Sequence, residues 1–439
     1  MLQLILAGLL ASATESRAWD VTFGGNARVA EEYNTNIFLT ARPHDYAWGQ
    51  GIDGGWDLLV AGERWGTRLN ADFANRWYVP DNNLDYFNQL FSSKNYFLTE
   101  RSRFGLDARY HLDTALASVD DVTQNLGFVA RRVPRTVRVL SPSWLYTLTE
   151  KTQMTLGYTY QDTVYEQKDT AQNFPDSVAH IGSLGLTHQW NDRLQLTSSA
   201  SYTDYSLTSS DQSVKLTNIR VPTVFGLVCC FPGIITQPGI TSSIRTASLM
   251  AGLDYQFTDT FDLALSAGGQ YNETARPAYN IETVPLFQGA VIQSYDQAIE
   301  KTSSSTLSEI VAAKASKRFE NSDLSLAYDR TLSPNIQGDL ITYDNVSLNG
   351  THRFTPHLST RLSLTFSDRT FPISPGLANS SNRLFGAWSS INWQLAENWL
   401  LSGSYQFYYL DFYDLKVNNI ANSHALYLNI QYLFDQQKL

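Results

Sequence analysis

The residue types able to do chemistry are few and scattered along this chain. Seven histidines (His44, His111, His180, His188, His352, His357 and His424) contain no helix-spaced pair. His180 and His188 share a strand parity, but a separation of eight residues at ~3.4 Å each keeps them from sharing one metal. No metal site and no cofactor are expected, and these histidines read as polar residues of a rim or lumen. The two cysteines are adjacent, in Val228-Cys229-Cys230-Phe231-Pro232. In an exported chain they form a strained vicinal bridge or stay as two buried thiols, and no longer intrachain bridge can be built. Asn422-Ser423-His424 has residue types suited to nucleophilic catalysis, which needs nucleophile and base hydrogen-bonded in space. Three polar residues in a loop are ordinary, no Gly-rich phosphate loop is present, and an enzyme is not expected.

The charges are more informative. Arg68, Arg76, Arg101, Arg103, Arg109, Arg353 and Arg361 fall on the polar parity of alternating segments, with Asp53, Asp57, Asp72 and Asp107 on the same side. Guanidinium groups bind carboxylates bidentately, and charged walls select solutes in pores, so such a surface suits anionic or hydroxyl-rich cargo. The other reading is that opposite charges pair across neighbouring strands and fill the interior. Both stay open at this level. Arg138 fits neither face cleanly, because Pro142 can shift the parity of its segment.

What must position these residues is a long series of strands. Successive strand residues point to opposite faces, so a strand between lipid and water alternates with period two. From Trp65 to Trp77, Trp65, Thr67, Leu69, Ala71 and Phe73 oppose Gly66, Arg68, Asn70, Asp72 and Arg76. Ile52, Trp56, Leu58 and Val60 oppose Asp53, Gly55 and Asp57, and Phe104, Leu106, Ala108 and Tyr110 oppose Arg103, Asp107 and Arg109. Tight polar connections follow at Thr149-Glu150-Lys151, Asn191-Asp192-Arg193, Thr258-Asp259-Thr260, Glu320-Asn321-Ser322-Asp323, Thr355-Pro356-His357 and Ala396-Glu397-Asn398. The stretches 209–241 and 276–301 lack sustained alternation and read as long irregular loops. Short turns on one rim and long loops on the other is the layout of outer-membrane barrels.

The pattern predicts strands over 20–33, 45–61, 65–78, 96–111, 113–120, 134–148, 152–166, 178–190, 194–208, 242–257, 261–274, 302–319, 324–333, 339–354, 358–371, 382–395, 399–413 and 422–434. These make an all-β transmembrane antiparallel up-and-down barrel of about 18 strands. Trp65, Phe73, Phe104 and Tyr405 should face lipid, and both termini the periplasm.

Composition agrees. The 439 residues include 13% aromatic and 17% charged side chains, with a mean hydropathy of -0.25. No run of about 20 apolar residues lies beyond the N-terminus, so a helical membrane protein is excluded. A net charge of -10 disfavours nucleic acid as a partner. Repeating blade motifs of a propeller are missing, and sandwich strands are usually about 5–6 residues, shorter than these. Residues 1–18 read as a secretory signal: Leu2–Ala11 is apolar, Ser16-Arg17-Ala18 is a small-x-small cleavage site, and Trp19 starts the mature barrel, 19–439. A basic residue before the apolar run is missing, as expected if translation starts a few codons upstream.

Two segments carry a family resemblance. Ala30-Glu31-Glu32-Tyr33-Asn34-Thr35-Asn36-Ile37-Phe38-Leu39 resembles the opening of the putative β-barrel porin type 2 family. Pro142-Ser143-Trp144-Leu145-Tyr146-Thr147-Leu148-Thr149-Glu150-Lys151-Thr152, with Tyr158-Thr159-Tyr160-Gln161-Asp162-Thr163-Val164-Tyr165 after it, is similar to its central hairpin. The resemblance implies an outer-membrane barrel that accompanies exopolysaccharide export in a Gram-negative cell. Its implied partners are lipid, lipopolysaccharide, polysaccharide and periplasmic export proteins. It implies no catalytic residues. A diffusion porin, and a barrel that only anchors a surface enzyme or adhesin, are the alternative expectations.

Overall fold

The computed structural model describes residues 19–37, 39, 46–115, 133–166, 175–208, 212–223, 226–237, 241–276, 279–287, 290–291, 295–299, 301–334, 340–371, 380–414 and 417–438. Residues 1–18, expected to be a secretory signal, lie outside them.

Among the described residues twenty-three strands alternate with short turns and longer connections. The first nine are β1 Asp20–Asn34, β2 Ala47–Ala61, β3 Trp65–Val79, β4 Tyr86–Leu98, β5 Ser102–Ala115, β6 Val133–Thr149, β7 Thr152–Tyr165, β8 Asp176–Gln189 and β9 Leu194–Thr208. Then come β10 Gln212–Thr223, β11 Gly226–Gln237, β12 Thr241–Thr258, β13 Phe261–Arg276, β14 Tyr279–Phe287, β15 Ala290–Val291 and β16 Tyr295–Ile299. The last seven are β17 Thr302–Arg318, β18 Ser322–Pro334, β19 Leu340–Thr355, β20 Leu358–Phe371, β21 Ser380–Ala396, β22 Trp399–Asp414 and β23 Val417–Lys438.

Eighteen of these form one antiparallel sheet. Each pairs with the next of these eighteen, β9 with β12 and β13 with β17 across the intervening segments, and β23 pairs with β1 from Thr22↔Lys438 to Asn34↔Ala425, so the sheet closes on itself. Closure leaves no barrel-wide edge, which is what a sheet needs to cross hydrocarbon. Turns of two to four residues join the strands at one rim, which also holds the start of β1 at Asp20 and the end of β23 at Lys438. That is the periplasmic rim.

Register assigns every side chain a face, because directly opposite residues share one. On the outer face, Leu249, Leu253, Leu326, Ile430 and many similar side chains are exposed, although they are apolar. Exposed apolar side chains in such number are stable against lipid rather than water. Aromatic pairs ring both ends of this band. Phe104 stacks on Trp144 at 6.2 Å, Tyr255 meets Phe257 at 4.6 Å and Trp399 meets Tyr432 at 5.0 Å near the short turns. Tyr33 with Trp48, Phe91 with Tyr110, and Tyr160 with His180 lie toward the other rim. The chain is an outer-membrane β-barrel of 18 strands.

The structure corrects three expectations. The segment 96–111 is not one strand. A turn at Thr99-Glu100-Arg101 divides β4 from β5, with the Thr99 N–H donating to the Ser102 carbonyl at 2.8 Å and the Ser102 N–H to Thr99 Oγ1 at 2.9 Å. Without Gly, Pro or Asn, this turn reads as a polar stretch of strand, and β4 escaped notice. The strand expected at 113–120 is the end of β5 as far as Ala115, and residues 116–120 lie outside the described ones.

The third correction concerns the two long loops. They contain β10, β11, β14, β15 and β16, paired in a smaller sheet. That sheet continues the barrel ladder in register. Thr208↔Thr241 in the wall is followed by Gln212↔Gln237, four residues further on each strand. Ser243↔Ala275 leads to Gly233↔Pro285, and Arg276↔Thr302 to Tyr279↔Ile299. One arc of the wall thus extends past the rim as a projecting sheet. Strands alternate when their two faces meet different media, and beyond the bilayer that constraint lapses. Cys229 and Cys230 lie within β11; their side chains fall outside the described ones.

At the base of this projection the wall is split. β17 pairs with β13 along its whole length, but with β18 only over Val311–Arg318. Above that, the Leu332 carbonyl accepts from Gln270 Nε2 of β13 at 2.6 Å, and Leu332, outward by parity, is buried. The end of β18 leans over the lumen side of β17.

Candidate functional site in the barrel lumen

The inner wall has two unlike arcs. Over β7–β9, β12 and β13 the inward positions carry mostly small hydroxyl and amide side chains, such as Thr155, Ser183, Thr197, Ser201, Ser248 and Gln270. Hydroxyl pairs link neighbours, as in Ser201 Oγ with Ser248 Oγ at 2.7 Å. β19 and β20 continue the arc with Ser347, Asn349, Ser363 and Thr365, beside Arg353 and Arg361.

Over β1–β5 the wall is ionic. Asp53 accepts from Arg28 Nε at 2.6 Å and from both terminal nitrogens of Arg76, one of them at 2.8 Å. Arg68 reaches Asp57 at 3.5 Å, and Arg135 grips Asp113 at 2.8 Å. Asp107 stands opposite Lys94. The Arg103 guanidinium lies 5.6 Å from the Tyr96 ring centroid. Among the described residues Arg103, Arg109, Arg353 and Arg361 have no ion pair, and all four are exposed although they face inward. Their guanidiniums therefore stand open toward the lumen. Of the two readings left open by the sequence, pairing describes Arg76 and Arg68, and a free cationic wall describes the other four. Arg101 belongs to neither, since it sits in the periplasmic turn between β4 and β5, exposed. Arg138 faces outward opposite Asp162, with 3.1 Å between them.

Toward the outer rim the inward side chains become buried. Glu32, Ala47, Tyr78 and Arg76 are examples on one side, Ile341, Leu384 and Leu410 on another. The chain leaving β1 contributes to this. Asn36 Nδ2 donates to the Asn422 carbonyl at 2.8 Å, and its N–H donates to Asn34 Oδ1 at 2.9 Å. Ile37 packs on the Ala47, Tyr78 and Leu84 cluster, while Leu39 is buried with Leu384, Leu410 and Ala421 on the inner face of β21–β23. The described part of the motif, Tyr33–Ile37 and Leu39, thus turns into the mouth and ties β1 to strands on either side. Its two asparagines satisfy backbone groups that would otherwise be buried without partners.

The remaining sequence candidates separate. Ser423 points inward and is buried, donating to Asn34 Oδ1 at 3.0 Å, whereas His424 points outward to the Tyr405 hydroxyl at 2.7 Å. Adjacent strand residues face opposite ways, so the two cannot act as nucleophile and base. His180 and His188 both face outward, bonded to the Tyr158 hydroxyl and to Thr152 Oγ1. Among the described residues no cluster of His, Cys, Asp or Glu could hold a metal.

Sequence reasoning missed Lys94, because β4 was not recognised, and Arg28, although it has the polar parity of β1. Thr99-Glu100-Arg101-Ser102 repeats the pattern of Thr149-Glu150-Lys151-Thr152, a turn that was recognised, and that repeat would have exposed both the turn and β4.

The architecture is similar to that of solved outer-membrane barrels. The ferric-catecholate import receptor Fiu of E. coli K12, in its closed form, matches with a TM-score of 0.50 at 9% identity, over 93% of this chain and 82% of that one. OccK2 (OpdF) of Pseudomonas aeruginosa matches with a TM-score of 0.45 at 10% identity, over 96% and 98% of the two chains. OccAB2 of Acinetobacter baumannii gives 0.43 at 13% identity, over 96% and 98%. At such identities the likeness concerns the fold alone. No protein-family model and no curated protein matches the sequence.

Proposed function

We propose that this barrel is a pore for a secreted, hydroxyl-rich polysaccharide fed from the periplasm. The observation that carries the reading is the long, mostly uncharged arc of inward hydroxyl and amide side chains, with exposed arginines toward the periplasm and buried side chains at the mouth. A hydrated sugar chain can exchange hydrogen bonds along such a surface without a deep minimum to leave, as conduction requires. An 18-stranded barrel is wide enough for an aqueous channel. The resemblance of Ala30–Leu39 and Pro142–Thr152 to the porin type 2 family supports the same cargo. Periplasmic export proteins would dock at the short-turn rim, and lipopolysaccharide would surround the outer aromatic ring.

Planar-bilayer recording tests this. A low conductance that rises when a periplasmic partner is added, or when the Tyr33–Leu39 mouth is loosened, is expected. Silence under every condition sinks the pore. The second reading is a substrate-selective diffusion porin, favoured by the Arg28–Asp53–Arg76 group on the wall. A constitutively open channel that passes small charged solutes in liposome swelling would favour it over export.

A further inference from the structure

The ionic arc holds a concave niche of about 430 Å³ on the lumen wall, between β1–β5 and β23. That size falls among small-molecule sites. Its polar rim comes from Asn26, Asp72, Asn88, His111 and Gln431, and Ala74 and Leu90 supply apolar surface. Four of these polar side chains, Asn26, Asp72, His111 and Gln431, have no hydrogen-bond partner among the described residues, and Asn88 uses only its oxygen, which accepts from the Thr114 N–H at 3.2 Å. Donors and acceptors therefore converge on the niche unspent.

Its charge decides the ligand. The lining carboxylates are Asp53, Asp72 and Asp113. Against them stand Arg28 and Arg76 on Asp53, and Arg135 on Asp113, so three guanidiniums offset three carboxylates. A cation or an anion gains little from a neutral niche. A ring of hydroxyls gains much, because planar carboxylate, amide and imidazole groups can each bridge neighbouring hydroxyls while apolar surface receives the C–H face of a sugar. We infer that this niche is a saccharide-binding subsite for one or two neutral sugar units of the passing chain. The inference rests on the polysaccharide reading above and adds to it a fixed contact point on one side of the lumen.

The test uses the folded full-length barrel in detergent, with three neutral hexasaccharides as probes: maltohexaose, cellohexaose and a linear mannan hexamer. Isothermal titration calorimetry reads binding whether or not the channel conducts. At least one probe should bind, and His111→Leu or Gln431→Leu should each weaken it about fivefold, the loss expected for one hydrogen bond. Leu326→Met, on the lipid face, should leave it unchanged, and heat-modified gel migration checks that every variant is folded. No binding of any probe, equal binding by all variants, or tighter binding of an oligogalacturonate than of the neutral sugars overturns the subsite. Bilayer recording separates this from the pore reading. A conducting channel whose current no hexasaccharide interrupts counts against the niche alone, and binding without conductance sinks the pore and upholds the niche.

Discussion

Replacing Asp53 by Asn is the most direct probe of the ionic arc. Its carboxylate side chain is 8% exposed and serves two guanidiniums, Arg76 at 10% exposure and Arg28 at 40%. Asn keeps the shape and removes one negative charge, leaving two positive charges on the wall. A unit charge about 4 Å from a passing ion in water is worth about 1 kcal/mol, so anions should gain and cations lose roughly fivefold in local concentration. The assay is the reversal potential across a bilayer in a KCl gradient. Near 0.1 M salt, where screening sets in at about 10 Å, the D53N channel should turn clearly more anion-selective than the parent. At 1 M, with a screening length of about 3 Å, most of the difference should vanish. Stability should fall too. Breaking a buried pair costs about 3–5 kcal/mol, but Arg28 can turn to lumen water, so a loss of about 2 kcal/mol is expected, read as a lower temperature of heat-modified gel migration. A folded D53N barrel that conducts with unchanged selectivity at low salt would refute the reasoning, since these side chains would then not border the conducting path.

Three further outcomes follow from the same geometry. Leu39→Ala removes a buried anchor of the mouth, a change that costs about 2–5 kcal/mol in a packed core, and single-channel conductance should rise; an unchanged value would mean that this segment does not narrow the path. Leu249→Lys, on the lipid face, should destabilise by about 2–4 kcal/mol, while Ser248→Lys one residue away should cost well under half as much; equal losses in urea unfolding would reject the face assignment. Gln270→Leu leaves the Leu332 carbonyl without its donor, so hydrogen exchange at Leu332 and Ser333 should quicken while β19 beside them stays protected; uniform protection would show that this bond does not hold the end of β18.

How much of this was legible in the chain depends on whether the rule involved is local. Alternation is local: each residue's face follows from its neighbour's, and so Trp65, Phe73, Phe104 and Tyr405 could be set on one side and Arg68, Arg103 and Arg109 on the other before any coordinates. The total of eighteen strands agreed only because two misreadings cancelled: β4 was missed, and the end of β5 was read as a strand of its own over 113–120. The rule failed where the media did not differ across the strand, in β10, β11, β14 and β16, and where a turn carried no special residue, at Thr99-Glu100-Arg101. Pairing across strands is a separate matter. That Asp53 serves both Arg28 and Arg76, that Ser423 and His424 part company, and that β18 leaves β17 above Val311 depend on register between segments far apart in sequence. The inward turn of Asn36 and Leu39 onto β21–β23 exists only because the barrel closes and brings the last strands beside the first. Where alternation was unbroken, sequence settled which side of the wall a residue serves; closure and register decided which residues meet there.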